Sequence, residues 1–351
     1  MDMTDYSPSL RSQLFAAPVG ETHAGSTKRR GLRRVALGIA GGLAGLVALA
    51  AGAGTVYEAV AARGDAAAYP AAGRLVDVGG YRVHLDCLGE GSPTIVLDAG
   101  LGGSSLDWGL VQPQLAASTR VCSYDRAGMG WSDPGPGARA PAQLAEELHT
   151  LLTNAGVAGP FVLVGHSLAG KNLRLFAKGY PSDVAGMVLV DTRSERVDAK
   201  LSATEIEGFK GALNGQATLY TIARRLGVAR LFGAALLSDE PLVAPALAQE
   251  MVLLQTQPNA VAETTAEGLA RSADDDELAD ATLGDMPLAV IAARQSMDGI
   301  AGWPEAQRAL AALSSKGSLV VAETSHAIPL ERPDIVVDAV LSVLASARAR
   351  N

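Results

Sequence analysis

Apolar and polar positions follow two periods along this chain. Short runs rich in β-branched and apolar residues recur at 74–78, 81–88, 94–98, 120–124, 161–164, 186–190, 288–292 and 318–322. Each is of strand length and each is bounded by turn-forming residues, so each is predicted to be a strand. In the second run Val83, Leu85 and Cys87 alternate with Arg82, His84 and Asp86, the pattern of a strand with one buried face. Helical spacing appears between Pro141 and Gly156, through Leu144, Leu148, Leu151 and Leu152. It appears again after Pro333, through Val337, Val340, Leu341 and Leu344. Opening strands followed by alternating strand and helix predict an α/β domain: a mainly parallel, eight-stranded sheet with helices on both faces. Residues 193–285 interrupt this alternation, being polar and helical in character with no credible strand.

The N-terminal quarter has a different pattern. Residues 1–27 are polar and aperiodic and read as disordered, and Lys28, Arg29, Arg30, Arg33 and Arg34 then form a basic block. Residues 35–56 carry no charge. As a helix they would reach roughly 33 Å, enough for a bilayer core of about 30 Å. The basic flank puts the N-terminus in the cytoplasm and the larger domain outside. The expected organisation is a cytoplasmic tail at 1–34, a signal anchor at 35–56, an Ala-rich linker at 57–73 and a folded domain at 74–351. Two alternatives stand beside the anchor. One is an export signal cleaved near Ala59-Val60-Ala61, or read through Arg29-Arg30 as a twin-arginine signal. The other is a soluble buried helix, against which the basic flank and the many glycines argue.

Composition changes the picture in two respects. The 351 residues are 48% hydrophobic and 19% charged with 39 glycines, as suits buried parallel strands. The formal charge is −8 although the N-terminal segment is basic, so the folded body is acidic and offers no electrostatic basis for binding nucleic acid.

Candidate chemistry centres on FVLVGHSLAG at 161–170. An apolar strand breaks at Gly165, presents Ser167, and runs into a helical pattern through Leu173 and Phe176, which is the context of a G-x-S-x-G nucleophile elbow. Here the chain resembles the α/β-hydrolase superfamily, its serine esterases and lipases in particular, from about Val76 to the C-terminus. Ala169 stands where the common motif has glycine. The resemblance implies an eight-stranded hydrolase sheet with a helical cap at about 193–285. It places the catalytic base after the last strand, where His326 is the one histidine C-terminal to the elbow. His166, the variable position of the motif, should then point away from Ser167. The triad acid is expected at Asp298, shortly after the strand at 288–292, with Asp191 at the end of the preceding strand as the alternative. The glycine-rich stretch 99–105 resembles the family's oxyanion loop, which makes the backbone N–H groups of Leu101 and Leu168 the expected donors. The stretch 125–132 resembles a D-x-R-G-x-G-x-S loop that buttresses the site, and Trp108 is a candidate wall of the acyl pocket, with a buried core aromatic as the default reading.

In that fold the second and fourth strands are neighbours, so Cys87 and Cys122 are expected to form a disulfide, with two buried thiols as the alternative. The acidic run 274–277 reads as a solvated helix start rather than a cation site. No metal or organic cofactor is implied. The expected activity is hydrolysis of carboxylic esters or related acyl bonds through an acyl-enzyme on a small-molecule substrate. Thioesterase, perhydrolase and carbon–carbon hydrolase chemistry share the same triad. Ser167 argues against dehalogenase and epoxide-hydrolase relatives, which use an aspartate nucleophile. The rival from another class is a membrane-tethered binding protein on a hydrolase scaffold.

Overall fold

The computed structural model describes residues 24–236, 242–279 and 281–350. It divides into two units, Met1–Ala53 and Gly54–Asn351. Most of the expected polar tail lies outside the described residues. Helix α1 (Ala24–Ala61) begins before the basic block, which is therefore helical rather than part of a disordered tail. Lys and Arg are good helix formers, and the apolar run that follows continues the same helix. Its large apolar side chains, such as Leu37 and Leu49, are exposed. Among the described residues this is the one helix long and apolar enough to cross a membrane.

In the second unit, eight strands form one sheet in the order β1-β2-β4-β3-β5-β6-β7-β8. They are β1 (Arg74–Asp77), β2 (Arg82–Leu88), β3 (Thr94–Asp98), β4 (Val121–Asp125), β5 (Phe161–His166), β6 (Val184–Val190), β7 (Leu288–Ala293) and β8 (Gly317–Ala322). The first two pair antiparallel with each other, and β2 pairs antiparallel with β4. From β3 to β8 the pairing is parallel. Each expected strand is present, with its ends moved by two residues or fewer.

The strand period of two sorts the core into two layers. Val96, Leu163, Met187 and Val290 face one way, packing with Leu148 of α2 (Pro141–Asn154) and Phe176 of α3 (Ala169–Gly179). Their neighbours Ile95, Val162, Val188 and Ile291 face the other way with Trp108 and the C-terminal apolar stripe around Val340. Trp108 is therefore fully buried core, not pocket wall.

Between β6 and β7 the described segment is helical, as expected of a cap: α4 (Ala203–Arg225), α5 (Val228–Leu236), α6 (Pro245–Gln255) and α7 (Pro258–Ala270). Ser202 opens α4 with a capping box closed by Glu205. The acidic run is not simply solvated. Asp274 accepts from the backbone N–H of Ala142, and Asp275 accepts from buried Lys171 at 2.5 Å, so the run ties the end of the cap to the core helices.

The supposed linker 57–73 is also anchored. Glu58 pairs with Arg224 and Arg230, and Asp65 pairs with the same two arginines at 3.0 and 2.7 Å. The partners lie about 160 residues downstream, beyond any local reading. Cys87 and Cys122 face each other in the β2–β4 ladder and are disulfide-bonded.

The bridge closes a separation of 35 residues, and chain-entropy arguments give it about 3–4 kcal/mol of stability. Calorimetry of wild type against the Cys87→Ser/Cys122→Ser variant should show Tm several degrees lower in the variant. Reductant should lower the wild-type Tm toward that of the variant, and a Tm indifferent to both changes would contradict the estimate.

Candidate active site

The site forms at the carboxyl ends of β5, β6 and β8, where loops leave the sheet together. Ser167 sits between β5 and α3 with φ of 53°, in the left-handed region that a non-glycine residue occupies only when its surroundings enforce it. Its N–H donates to the Val190 carbonyl at 3.0 Å, and its carbonyl accepts from the Arg193 N–H at 3.1 Å, so the end of β6 grips the turn on both sides. The turn leaves no room at its flanks. A Cβ on Gly165 would lie 2.8 Å from Leu173, and one on Gly170 would lie 1.9 Å from Thr192. The demand for glycine therefore falls on Gly170, one residue beyond the motif position, and Ala169 is accommodated as a buried methyl.

His326, on the loop after β8, accepts or donates through Nε2 at 2.9 Å to Ser167 Oγ. Its Nδ1 lies 2.6 Å from Asp191 Oδ2. The carboxylate beside His326 is therefore Asp191's, against the preference for Asp298. Asp191 follows β6 directly, itself turned into the left-handed region at φ 42°. Its carboxylate also receives the Ala293 N–H at 3.0 Å, the Ser296 hydroxyl at 2.5 Å and the Trp303 indole N–H at 2.9 Å. The short helix Arg294–Gly299 turns Ser296 inward and leaves Asp298 exposed. Burial pushes the Asp191 carboxyl up, but the hydrogen bonds from His326, Ser296 and Ala293 outweigh it and hold it below the usual carboxylate range.

His166 makes no hydrogen bond to Ser167 among the described residues, but it is not idle. Its Nε2–H donates to the His326 carbonyl at 2.9 Å, and the two rings lie 4.6 Å apart. Desolvation and the adjacent His326 push its imidazole down to about 3, so it stays neutral. His84 is a buried partner of Asp125 at 2.8 Å, and His149 stacks on Tyr180.

The loop at 99–105, the expected oxyanion loop, approaches the elbow closely: a Cβ on Gly100 would lie 3.2 Å from the Ser167 Cβ. The N–H groups of Leu101 and Leu168 donate to no described residue and are free to serve an incoming group. The 125–132 loop does buttress this region. Asp125 accepts from the Ser105 and Trp131 N–H groups, and Ser132 joins Asp125 to His84. Within it Arg126 reaches further than the sequence indicated, to the carbonyls of Ala99 and Gly100 at 2.6 and 2.7 Å. Its remaining bonds go to Asp98 and to Glu267 on α7.

A profile of the alpha/beta hydrolase family matches residues 95–339, well over half of the chain. The chain belongs to the alpha/beta hydrolase family. Among curated relatives it is 35% identical to a "Probable transporter efuK" of Hormonema carpetanum over 129 residues, 34% of this chain and 18% of that protein. It is 37% identical over 102 residues to a "Putative carbamate hydrolase RutD" of Klebsiella pneumoniae, 29% of this chain and 38% of that protein. The chain thus spans well under two thirds of the length of these relatives. A thermophilic esterase from Thermogutta terrifontis superposes with a TM-score of 0.61 at 23% identity, covering 79% of this chain and 99% of that one, a likeness of fold.

In this family member the cap lies directly on the loop at 99–105. A Cβ on Gly102 would meet Thr264 of α7 at 3.1 Å, and one on Gly268 of α7 would lie 3.4 Å from the Leu101 side chain. Between loop and cap is a cavity of about 120 Å³ lined by Leu101, Gly102, Leu213, Gln216, Tyr220 and Thr264. Among the described residues no cluster of His, Cys, Asp and Glu is arranged to hold a metal ion.

The neutral His166 supplies a donor and no titration. His166→Ala should lower kcat by about 3–10-fold, the worth of one hydrogen bond. His166→Asn should recover part of that loss. Neither change should displace the limbs of the kcat/KM pH profile between pH 5 and 9, since a group titrating at about 3 is already deprotonated there. A displaced acid limb would assign His166 a protonic role instead.

Proposed function

We propose that this chain is a serine hydrolase that cleaves carboxylic esters or related acyl bonds through an acyl-enzyme. The observation that carries the reading is the continuous hydrogen-bonded chain from Ser167 through His326 to Asp191. In the reading, Ser167 Oγ attacks the carbonyl carbon while His326 Nε2 takes its proton. Asp191 fixes the tautomer with the proton on Nδ1 and stabilises the imidazolium that forms. The backbone N–H groups of Leu101 and Leu168 hold the oxyanion, each worth about 3–4 kcal/mol in comparable sites. Collapse expels the alcohol, which takes the proton from His326. Water activated by the same histidine then releases the acid and restores Ser167. The helix α3 that starts after the elbow adds its N-terminal dipole at the point where negative charge develops.

Treating the full chain with a fluorophosphonate should give one adduct by intact mass, absent in Ser167→Ala. Asp191→Asn should slow labelling by about 10³–10⁴-fold, as loss of the orienting carboxylate does elsewhere. Asp298→Asn, altering an exposed side chain, should label at the wild-type rate. An unlabelled, folded wild type would overturn the reading.

The same reading places the enzyme on a membrane through α1, with its N-terminus in the cytoplasm and the hydrolase unit outside. The basic flank and the uncharged run 35–56 support it. Alkaline extraction should leave the full chain in the membrane pellet with its N-terminal residues intact. A soluble product whose N-terminus lies at or after Gly64 would mean a cleaved signal instead.

A further inference from the structure

Resting on the serine-hydrolase reading, we propose that Arg126 is a positioning residue for the oxyanion-binding N–H of Leu101, and that Glu267 on the cap makes this positioning depend on the seated cap. The argument starts from the peptide unit. The Gly100 carbonyl and the Leu101 N–H belong to one planar trans peptide, so whatever fixes the direction of the carbonyl fixes the opposite direction of the N–H. Arg126 Nη2 donates to that carbonyl at 2.7 Å, and Nη1 donates to the preceding one, of Ala99, at 2.6 Å. A charge-assisted bond to the carbonyl also polarises the amide, which makes its N–H a stronger donor toward developing negative charge. Within the loop the Gly103 N–H also donates to the Gly100 carbonyl at 3.0 Å, and the shorter, charged bond from Arg126 holds the same oxygen from outside.

Arg126 in turn has no freedom. Its five N–H groups meet five acceptors: the two loop carbonyls, Asp98 Oδ1 at 2.7 Å, and both carboxylate oxygens of Glu267 at 2.9 Å. The guanidinium and both carboxylates are buried. A buried ion network of this kind adds little stability over apolar residues of equal volume, so its worth lies in the geometry it imposes. Asp98 comes from the end of β3, inside the core, and fixes one edge of the guanidinium to the sheet. Glu267 comes from α7, which is cap, and its bidentate bond fixes the opposite edge. Without Glu267 two N–H groups of a buried cation would lose their partners, and the fork that holds the loop would be free to turn. Cap seating and oxyanion geometry are therefore linked through a single side chain, 141 residues from its cap partner in sequence.

The test uses the full chain, an ester substrate, and a trifluoromethyl ketone that forms a charged tetrahedral adduct on the serine. Arg126→Lys keeps the charge and loses the fork. Glu267→Gln keeps side-chain volume and loses the second charge-assisted acceptor. Losing an oxyanion donor outright costs about 10²–10³-fold in kcat. A misdirected one should cost about 10–10²-fold in Arg126→Lys and about 10-fold in Glu267→Gln. KM should stay within about two-fold, and ketone affinity should fall by the same factor as kcat/KM. A purely structural role would lower Tm and leave kcat of the folded fraction unchanged. Should Arg126→Lys not fold, the near-isosteric Glu267→Gln decides. A folded variant with wild-type kcat and ketone affinity would overturn the proposal. A wild type that turns over no ester would overturn the hydrolase reading, and this proposal with it.

Discussion

The Asp191 carboxylate is the point on which the site is built. It is fully buried, and a buried carboxylate is costly unless its lone pairs are satisfied. Here four donors converge on it, from His326, Ser296, Trp303 and the Ala293 backbone. Those donors come from the loops after β7 and β8 and from the helix that begins at Trp303, so satisfying one charge draws three segments to the end of β6. The strained turn at Asp191 and the strained turn at Ser167 are adjacent, joined by backbone bonds between β6 and the elbow. The cost of two non-glycine residues in the left-handed region is borne by a sheet whose strands are buried on both faces. Ser167, His326 and Asp191 thus lie at or close behind strand ends, with no long loop between them and the core.

A second buried charge organises the other half of the site. Arg126 fixes the loop after β3 as Asp191 fixes the loop after β8, and in both cases an ion in low dielectric is stabilised by full hydrogen bonding rather than by solvent. The difference lies in who supplies the partners. Those of Asp191 come from the sheet domain alone, whereas one partner of Arg126 comes from the cap. The position that would otherwise separate cap and loop is a glycine, Gly102, whose missing side chain lets Thr264 of α7 settle on the loop. On the proposed reading, oxyanion geometry and cap seating are accordingly one mechanical unit.

The sheet was legible because its information is local: a buried parallel strand is a short apolar run, and its length and turn residues are written beside it. The elbow was legible for the same reason, down to Ser167 and the strand before it. His326 followed from chain order. The acid did not, because Asp191 and Asp298 both follow strands that end at the site, and the choice depends on which of two turns faces the imidazole. Ser296 and Trp303, which occupy the far side of Asp191, carry no motif. The same holds for Arg126 with Glu267, and for Glu58 and Asp65 with Arg224 and Arg230: each is a pairing across more than a hundred residues, which no periodicity encodes. Ala169 departed from the motif without consequence, since the steric demand falls on Gly170, against Thr192 from the next strand end.

The most direct test of this account is the low-field proton NMR spectrum of the full chain. A proton held between His326 Nδ1 and a buried carboxylate resonates far downfield of the amide envelope. That resonance should be present in wild type and in Asp298→Asn and absent in Asp191→Asn. Its survival in Asp191→Asn, or its loss in Asp298→Asn, would contradict the assignment of Asp191 as the group that orients His326.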